Sequence, residues 1–597
     1  METQGIKFFI YITSSEIFND QWITTDTGLI LPSKSLSQEF NKTIGKKFFK
    51  LFSSINSFEL IQLLSKINVI ISANLKEVII PEKRILLEIF NDNFIRNRII
   101  KNLKKDFVFF TRTQILYFFK LAILKFNMAK QGDLINNLDI FIKLLLKTND
   151  LLEKDVNHST TNSTKKITSK LISGFIRNIQ FYDTQQFRYL IARYNLLFFK
   201  YSKKVNNRKF NLNKEFKRLK GVNIKPFMFI TASIITNYDV SHLHKIIEDP
   251  NIFPISDNYF KNFRPSLKKN IDQVLKILSN TIDEFKNMFN ENSYDLKNKY
   301  FGFLCFKIKP LLKFNNIYLP LDIEFLREKM TSEIFWEIFF NIEINEKRNL
   351  SSFWGEIFHL YFSDLLRKFL REGKNLFLPN KKNNQEIDAI VLEKDQIILI
   401  EFITGKMNYR TLLSGNYRSY QKELHEVFFG GPSRRKGKIK QLDEEIKKIN
   451  NNKINLPLID YKKIKEIYPI LVFEKAPTLA PGLWEEYKKK IMNTNFLKNH
   501  INNLQFMGID ELEMLVPLLK RNFSFVNILK NKLSSQFKDF TFNNFLLFEF
   551  YPKNNIKEPI NDFLGKEFLK FANYSTQYIF NKNNKNIIDI KKNNMII

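Results

Sequence analysis

The sequence predicts a multidomain chain of the α and α/β classes: a large helical N-terminal region, a central α/β core on a mixed sheet, and a helical C-terminal region. Three observations predict it. At 597 residues the chain exceeds what one core holds, so two to four domains are expected. Gly and Pro number only 17 each, which favours long helices over turn-rich sheets, and 62 Phe supply bulk for several cores. Between residues 386 and 473 the pattern turns to short runs of Ile, Leu and Val bounded by polar residues, the mark of strands.

The helical region is expected over 1–345. Apolar spacing predicts helices over 46–67, 82–103, 113–126 and 134–147. Beyond the polar stretch 156–166, where two subdomains would divide, helices are predicted over 169–179, 184–205 and 266–290. The basic run 206–221 is a loop or a solvated helix, and 301–310 has the composition of a strand. The most apolar stretch, 107–126, contains Arg112, Lys120 and Lys125; it falls short of a membrane span and is expected as a buried helix. The N-terminus lacks the basic flank and cleavage site of a secretory leader, and a cytoplasmic protein with no membrane partner is expected.

The α/β core is expected over 346–475. Residues 351–370 have helical periodicity, 374–379 suit a first strand, and 386–392 with 396–402 form a hairpin about Glu393-Lys394-Asp395. A helix over 437–449 and an apolar strand over 467–473 follow. The region 476–580 is helical again, with helices over 480–493 and 508–533 and Asp510 as the N-cap of the second. The polar tail 581–597 is expected to be flexible.

The hairpin carries the chemistry. With its turn centred on Lys394-Asp395, Asp388 stands directly opposite Glu401 on one face of the sheet. Opposed Cβ atoms are roughly 4.5–5.5 Å apart, and like charges at that distance repel. Glu401 also interrupts a run that is apolar on both faces, as in a buried central strand. A buried anion needs a counter-charge, and a divalent cation held by oxygens supplies one. The plainer alternatives are an exposed acid at a strand edge for Asp388 and a buried salt bridge to a lysine for Glu401.

Glu356 in the helix SSFWGEIFHLYFSDLLRKFL, Asp388, Glu401 and Gln441 in GKIKQLDEEIKKI, with strands 374–379 and 467–473 around them, resemble the PD-(D/E)xK nuclease superfamily. The resemblance covers roughly 120 residues. It implies a restriction-endonuclease-like fold and an endonuclease that uses Mg2+ or Mn2+. By that resemblance Asp388, Glu401 and the carbonyl of Phe402 hold the metal, Glu356 reaches it through water, and Gln441 completes the site. The sequence departs at one position: the family's E-x-K lysine is replaced by Ile403. Lys438, three residues before Gln441 and on its helical face, is the expected substitute, ahead of Lys406 and Lys440. His359, three residues after Glu356, could face the site as a ligand or acid, although a lone histidine on an amphipathic helix is more often structural.

With 94 basic against 61 acidic residues the formal net charge is +33, which points to a polyanionic partner, nucleic acid first and acidic membrane second; of the nucleic acids, DNA is expected before RNA. Arg434, Arg435, Lys436 and Lys440 concentrate that charge beside the site and are the expected phosphate contacts; a solvated basic loop is the bland alternative. A single cysteine, Cys305, excludes a disulfide framework and a cysteine-ligated zinc site. Three functions compete: a metal-dependent DNA endonuclease, by analogy one that defends against foreign DNA; an inactive nuclease fold that binds nucleic acid; and a helical scaffold on anionic surfaces.

Overall fold

The computed structural model describes residues 10–11, 57–73, 107–108, 112–126, 187–205, 210–238, 254–291, 302–371, 375–378, 387–404, 411, 417–431, 436–451, 453, 463–474, 483–494, 496–538, 540–557 and 561–580. The helices expected over 82–103, 134–147 and 169–179, the linker 156–166 and the tail 581–597 lie outside them. The chain divides into two compact units, one of Met1–Lys170, Lys220–Ile334 and Tyr574–Ile597, the other of Leu171–Leu219 and Phe335–Asn573. The division therefore does not fall at residue 345, because a stretch of the expected N-terminal region belongs with the core that follows it.

In the first unit, helices Ser57–Ala73 and Arg112–Leu124 pack together, and nearly all of the second is buried. A bidentate Arg112–Asp322 pair, 2.5 Å at its closest, meets its buried charge, and Asp322 also accepts the Phe325 N–H at 2.8 Å to start helix Ile323–Met330. Four short strands form a mixed sheet in the order Ile255–Ser256, Ile317–Pro320, Leu311–Phe314, Ser279–Asn280. The strand expected over 301–310 is instead helix Leu304–Ile308, followed by a hairpin that turns at Asn315, φ +50°. A helical turn brings Phe303 and Phe306 to one side, and Phe306 packs against Phe119, Phe285 and Phe289. Among the described residues no helix is long and apolar enough to cross a membrane.

The second unit is built on a five-stranded sheet. Its elements include α1 (Phe187–Leu196), α2 (Ile344–Arg367), β1 (Leu376–Phe377), β2 (Ala389–Glu393), β3 (Gln396–Ile403), α3 (Tyr417–Phe429), α4 (Lys438–Asn450), β4 (Glu466–Phe473), α5 (Leu483–Asn493), β5 (Gln505–Gly508), α6 (Ile509–Lys520) and α7 (Phe525–Ser534). The strand order is β5-β4-β3-β2-β1, antiparallel among β1, β2 and β3 and parallel among β3, β4 and β5. The hairpin pairs Ala389 with Ile400 and Glu393 with Gln396, so the turn is Lys394-Asp395 as the sequence predicts, with Lys394 in the left-handed region at φ +57°.

Period-two alternation on the strands decides what covers each face. Ile397, Leu399 and Ile403 of β3 and Ile467, Leu471 and Phe473 of β4 meet Tyr420, Leu424 and Phe428 of α3 and Ile439, Leu442 and Ile446 of α4. On the other face the Phe402 ring lies 5.6 Å from that of Phe358 and 5.3 Å from that of Phe362, both on α2. α1 joins this side through a buried network: Arg193 donates to both carboxylate oxygens of Glu513 on α6 at 2.7 Å, and the Tyr361 hydroxyl donates to Glu513 as well. Burial alone would lower the Arg193 pKa, but the Glu513 charge more than offsets it, so the guanidinium stays charged. The helix expected over 508–533 is two helices broken at 521–524, and Asp510 is not its cap. β5 runs to Gly508, whose N–H donates to Glu511 at 2.7 Å, which leaves Asp510 inside the first turn. Pro517 within α6 cannot donate to the Glu513 carbonyl; Asn561 Nδ2 does so at 2.8 Å.

Candidate active site

The site lies where β2 and β3 part. Glu401 sits in β3, 1 % exposed, and by alternation points to the side covered by α4. The Lys438 ammonium, in the first turn of α4, donates to its Oε1. α4 is placed for this by Gly437: a Cβ there would stand 2.3 Å from the backbone of Phe428 and Phe429, so only glycine lets α4 start this close to the end of α3. Ile403 shares the Glu401 side of the strand and is buried in the apolar cluster beneath α3 and α4. Lys440 is exposed, and Lys406 lies outside the described residues.

Continuing the register, Asp388 falls opposite Glu401, one residue beyond the last paired position. Its own N–H donates to the Ile400 carbonyl at 3.2 Å, and its Oδ2 accepts the Phe402 N–H at 2.7 Å. A strand N–H lies in the plane of the sheet, so the Asp388 carboxylate sits at the fork in that plane and not beside Glu401 on one face. The cause is local: Ile387 and Ile390, three apart, both bury in the same cluster, which interrupts the alternation at Asp388. Asp388 Oδ1 stands 3.8 Å from Nε2 of His359 on α2. The fork is thus flanked by α2 on one side and α4 on the other.

Glu356 lies one turn before His359 on the same side of α2, half-buried, with no hydrogen bond or ion pair among the described residues. Gln441, one turn after Lys438, has a buried Oε1 that accepts no hydrogen bond among the described residues. Lys436 pairs with Glu444 at 2.5 Å, and Arg434 and Arg435 lie outside the described residues.

The sequence reading missed Glu474. It directly follows β4, its N–H donating to the Ile403 carbonyl at 3.0 Å, and its buried Oε1 accepts from the Tyr194 hydroxyl at 2.6 Å. The signal in the sequence is an acid that directly follows a strongly apolar strand.

Among the described residues, no three His, Cys, Asp or Glu side chains stand grouped as a metal cluster. Asp388, Glu401 and the Phe402 carbonyl are each oxygen donors, the atom type that small hard cations take. Mg2+ takes one or two carboxylates and keeps water for the remaining positions. Comparison of the chain with protein-family models, with characterised proteins and with solved structures finds no match.

Proposed function

We propose that this chain is a metal-dependent phosphodiesterase acting on DNA as an endonuclease, with a restriction-endonuclease-like core and its hydrolytic site at the fork of β2 and β3. One observation carries the reading: Lys438 reaches Glu401 from α4, bringing to that carboxylate an amine that Ile403 does not supply from the strand. A bound Mg2+ or Mn2+, held by Asp388, Glu401 and the carbonyl of Phe402, would neutralise phosphate charge and acidify a water. Lys438 offsets the negative charge that a diester and an attacking oxygen add beside two carboxylates. Gln441 offers its amide on the same side of α4 to hold a water, and Glu356 offers a carboxylate from α2. The +33 charge supports a polyanionic substrate, with Arg434, Arg435, Lys436 and Lys440 as its phosphate contacts.

The test incubates the full chain with supercoiled plasmid, linear duplex, single-stranded DNA and RNA in Mg2+, Mn2+ or EDTA. Cleavage that needs the cation and is lost in Asp388→Asn supports the reading; no cleavage of any substrate overturns it. A second reading, an inactive nuclease-like protein that binds nucleic acid, is favoured by the Glu401–Lys438 pair itself, since that buried carboxylate already has a cation. Gel shifts that persist without cleavage would favour it.

A further inference from the structure

We infer that the first compact unit carries a binding surface for single-stranded nucleic acid, in which Tyr574 stacks on a base and Lys225, Lys268, Lys269 and Lys276 meet the flanking phosphates. The inference does not depend on chemistry at the fork. Its first observation is a cation between two rings: Lys225 Nζ stands 5.7 Å from the Phe229 ring centre and 5.3 Å from that of Tyr574. Phe229 is buried, whereas Tyr574 is 60 % exposed. Lys225 thus holds one side of the Tyr574 ring and leaves the other side open, as a platform for a base requires.

The second observation is a groove of about 540 Å³ along helix Lys268–Leu278, whose lining includes Lys268, Lys269, Asp272, Gln273 and Lys276. Helical phase sets the three lysines on one exposed side, with Asp272 as the one acid of that lining. Among the described residues, none of Lys225, Lys268, Lys269 and Lys276 pairs with a carboxylate, so their charge is available to an anion. Three contacts tie the platform to the groove. Gln273 Nε2 donates to the Lys220 carbonyl at 2.6 Å, at the turn that leads into helix Ile224–Thr236 and Lys225. Asn270 hydrogen-bonds Tyr578, one turn after Tyr574, and the Tyr578 ring lies 5.4 Å from that of Phe229. Arg264 Nη2 donates to the Gln577 carbonyl at 2.6 Å, which holds the end of helix Asp562–Ile579 against the chain entering helix Lys268–Leu278. A duplex hides the faces of its bases, so a stacking ring beside unpaired ammonium groups selects a single strand.

The experiment measures binding of the full chain in EDTA to fluorescent oligo-dT, oligo-rU and a DNA duplex of equal length. Wild type is compared with Tyr574→Ala, Tyr574→Phe and the triple variant Lys225→Gln, Lys269→Gln, Lys276→Gln, with circular dichroism melts to confirm that each is folded. Tyr574→Ala should weaken both single strands by about five- to a hundredfold, Tyr574→Phe should bind like wild type, and duplex binding should not change. The triple variant should flatten the slope of log affinity against log salt by about 2, at roughly 0.7 for each lost phosphate contact. Photo-cross-links from an iodouracil-substituted strand should map to Tyr574. Equal single-strand binding in Tyr574→Ala, an equal loss on the duplex, or a wild type that binds neither single strand overturns the inference. Phosphatidylserine vesicles that lose binding in the triple variant, while oligonucleotides keep theirs, would assign the surface to lipid and overturn it too. Plasmid cleavage in Mg2+ tests the fork separately: a chain that never cuts but binds single strands through Tyr574 loses the nuclease reading and keeps this one.

Discussion

Lys438 and Glu401 meet across the gap between a helix and a strand, two residues before the strand position, Ile403, at which the amine of an E-x-K motif would stand. Helix and strand thus share a charge arrangement that the strand alone does not carry.

Moving that charge back is a direct test. Lys438→Ala should lower cleavage by about a hundredfold or more, the scale of a lost electrostatic contact in a transition state. Ile403→Lys in the same chain should recover part of the loss. Single-turnover rates on plasmid DNA measure both, and undiminished cleavage in Lys438→Ala would remove the lysine from the mechanism.

Asp388→Asn and Glu401→Gln keep size and hydrogen bonding but remove the anions. Each should abolish cation-dependent cleavage while DNA affinity, measured by fluorescence anisotropy, stays within a few-fold, because surface lysines supply most non-specific binding. Weakened DNA binding together with intact cleavage would place the chemistry elsewhere.

Gly437→Ala tests the placement of Lys438 without touching it. A Cβ 2.3 Å from backbone atoms forces the start of α4 away from α3. Cleavage should fall, and stability should fall by about 1–3 kcal/mol, the usual cost of overpacking. Denaturant melts and rates on the same preparation separate the two effects.

Arg193→Met leaves Glu513 buried without its cation and should cost about 3–5 kcal/mol by urea denaturation. Arg193→Met with Glu513→Leu should cost much less, since neither charge remains. Equal losses would mean that the pair is not a coupled unit.

Stability should also depend on His500. Burial lowers its pKa below the ordinary 6.5, with Asp443 acting in the opposite direction. The folded chain then holds this proton less well than the unfolded chain, so stability falls as pH drops through about 6.5 toward the folded-state value. His500→Gln should flatten this limb, read as melting temperature between about pH 5 and 7.5. Parallel curves for both proteins would contradict the assignment.

The hairpin was legible because strand alternation, a two-residue polar turn and an embedded acid agree with one another, and Lys438 was legible because helical phase ties it to Gln441. The in-plane position of Asp388 was not: it depends on Ile387 burying on the side where alternation would place its neighbour. The Asp510 cap failed because the end of β5, which no local rule marks, decides where α6 begins. Glu474 was hidden by its partner, since Tyr194 lies 280 residues earlier in the chain. At 301–310 the aromatic run suited a strand, and only the Phe119, Phe285 and Phe289 rings around Phe306 select a helix.

The sequence distance between α1 and its partners has a consequence for biosynthesis. Arg193 and Tyr194 leave the ribosome 320 and 280 residues before Glu513 and Glu474. Until then α1 has a guanidinium and a phenol that need partners not yet made, whereas the β2–β3 hairpin can close as soon as it emerges. Contacts of such range slow folding and leave apolar surface exposed while the chain waits. A fragment cut to residues 346–475 would never receive them: it would hold Glu474 without Tyr194 and lack α6 entirely. The sheet and its fork belong, as a folding unit, to two stretches of chain that must be expressed together.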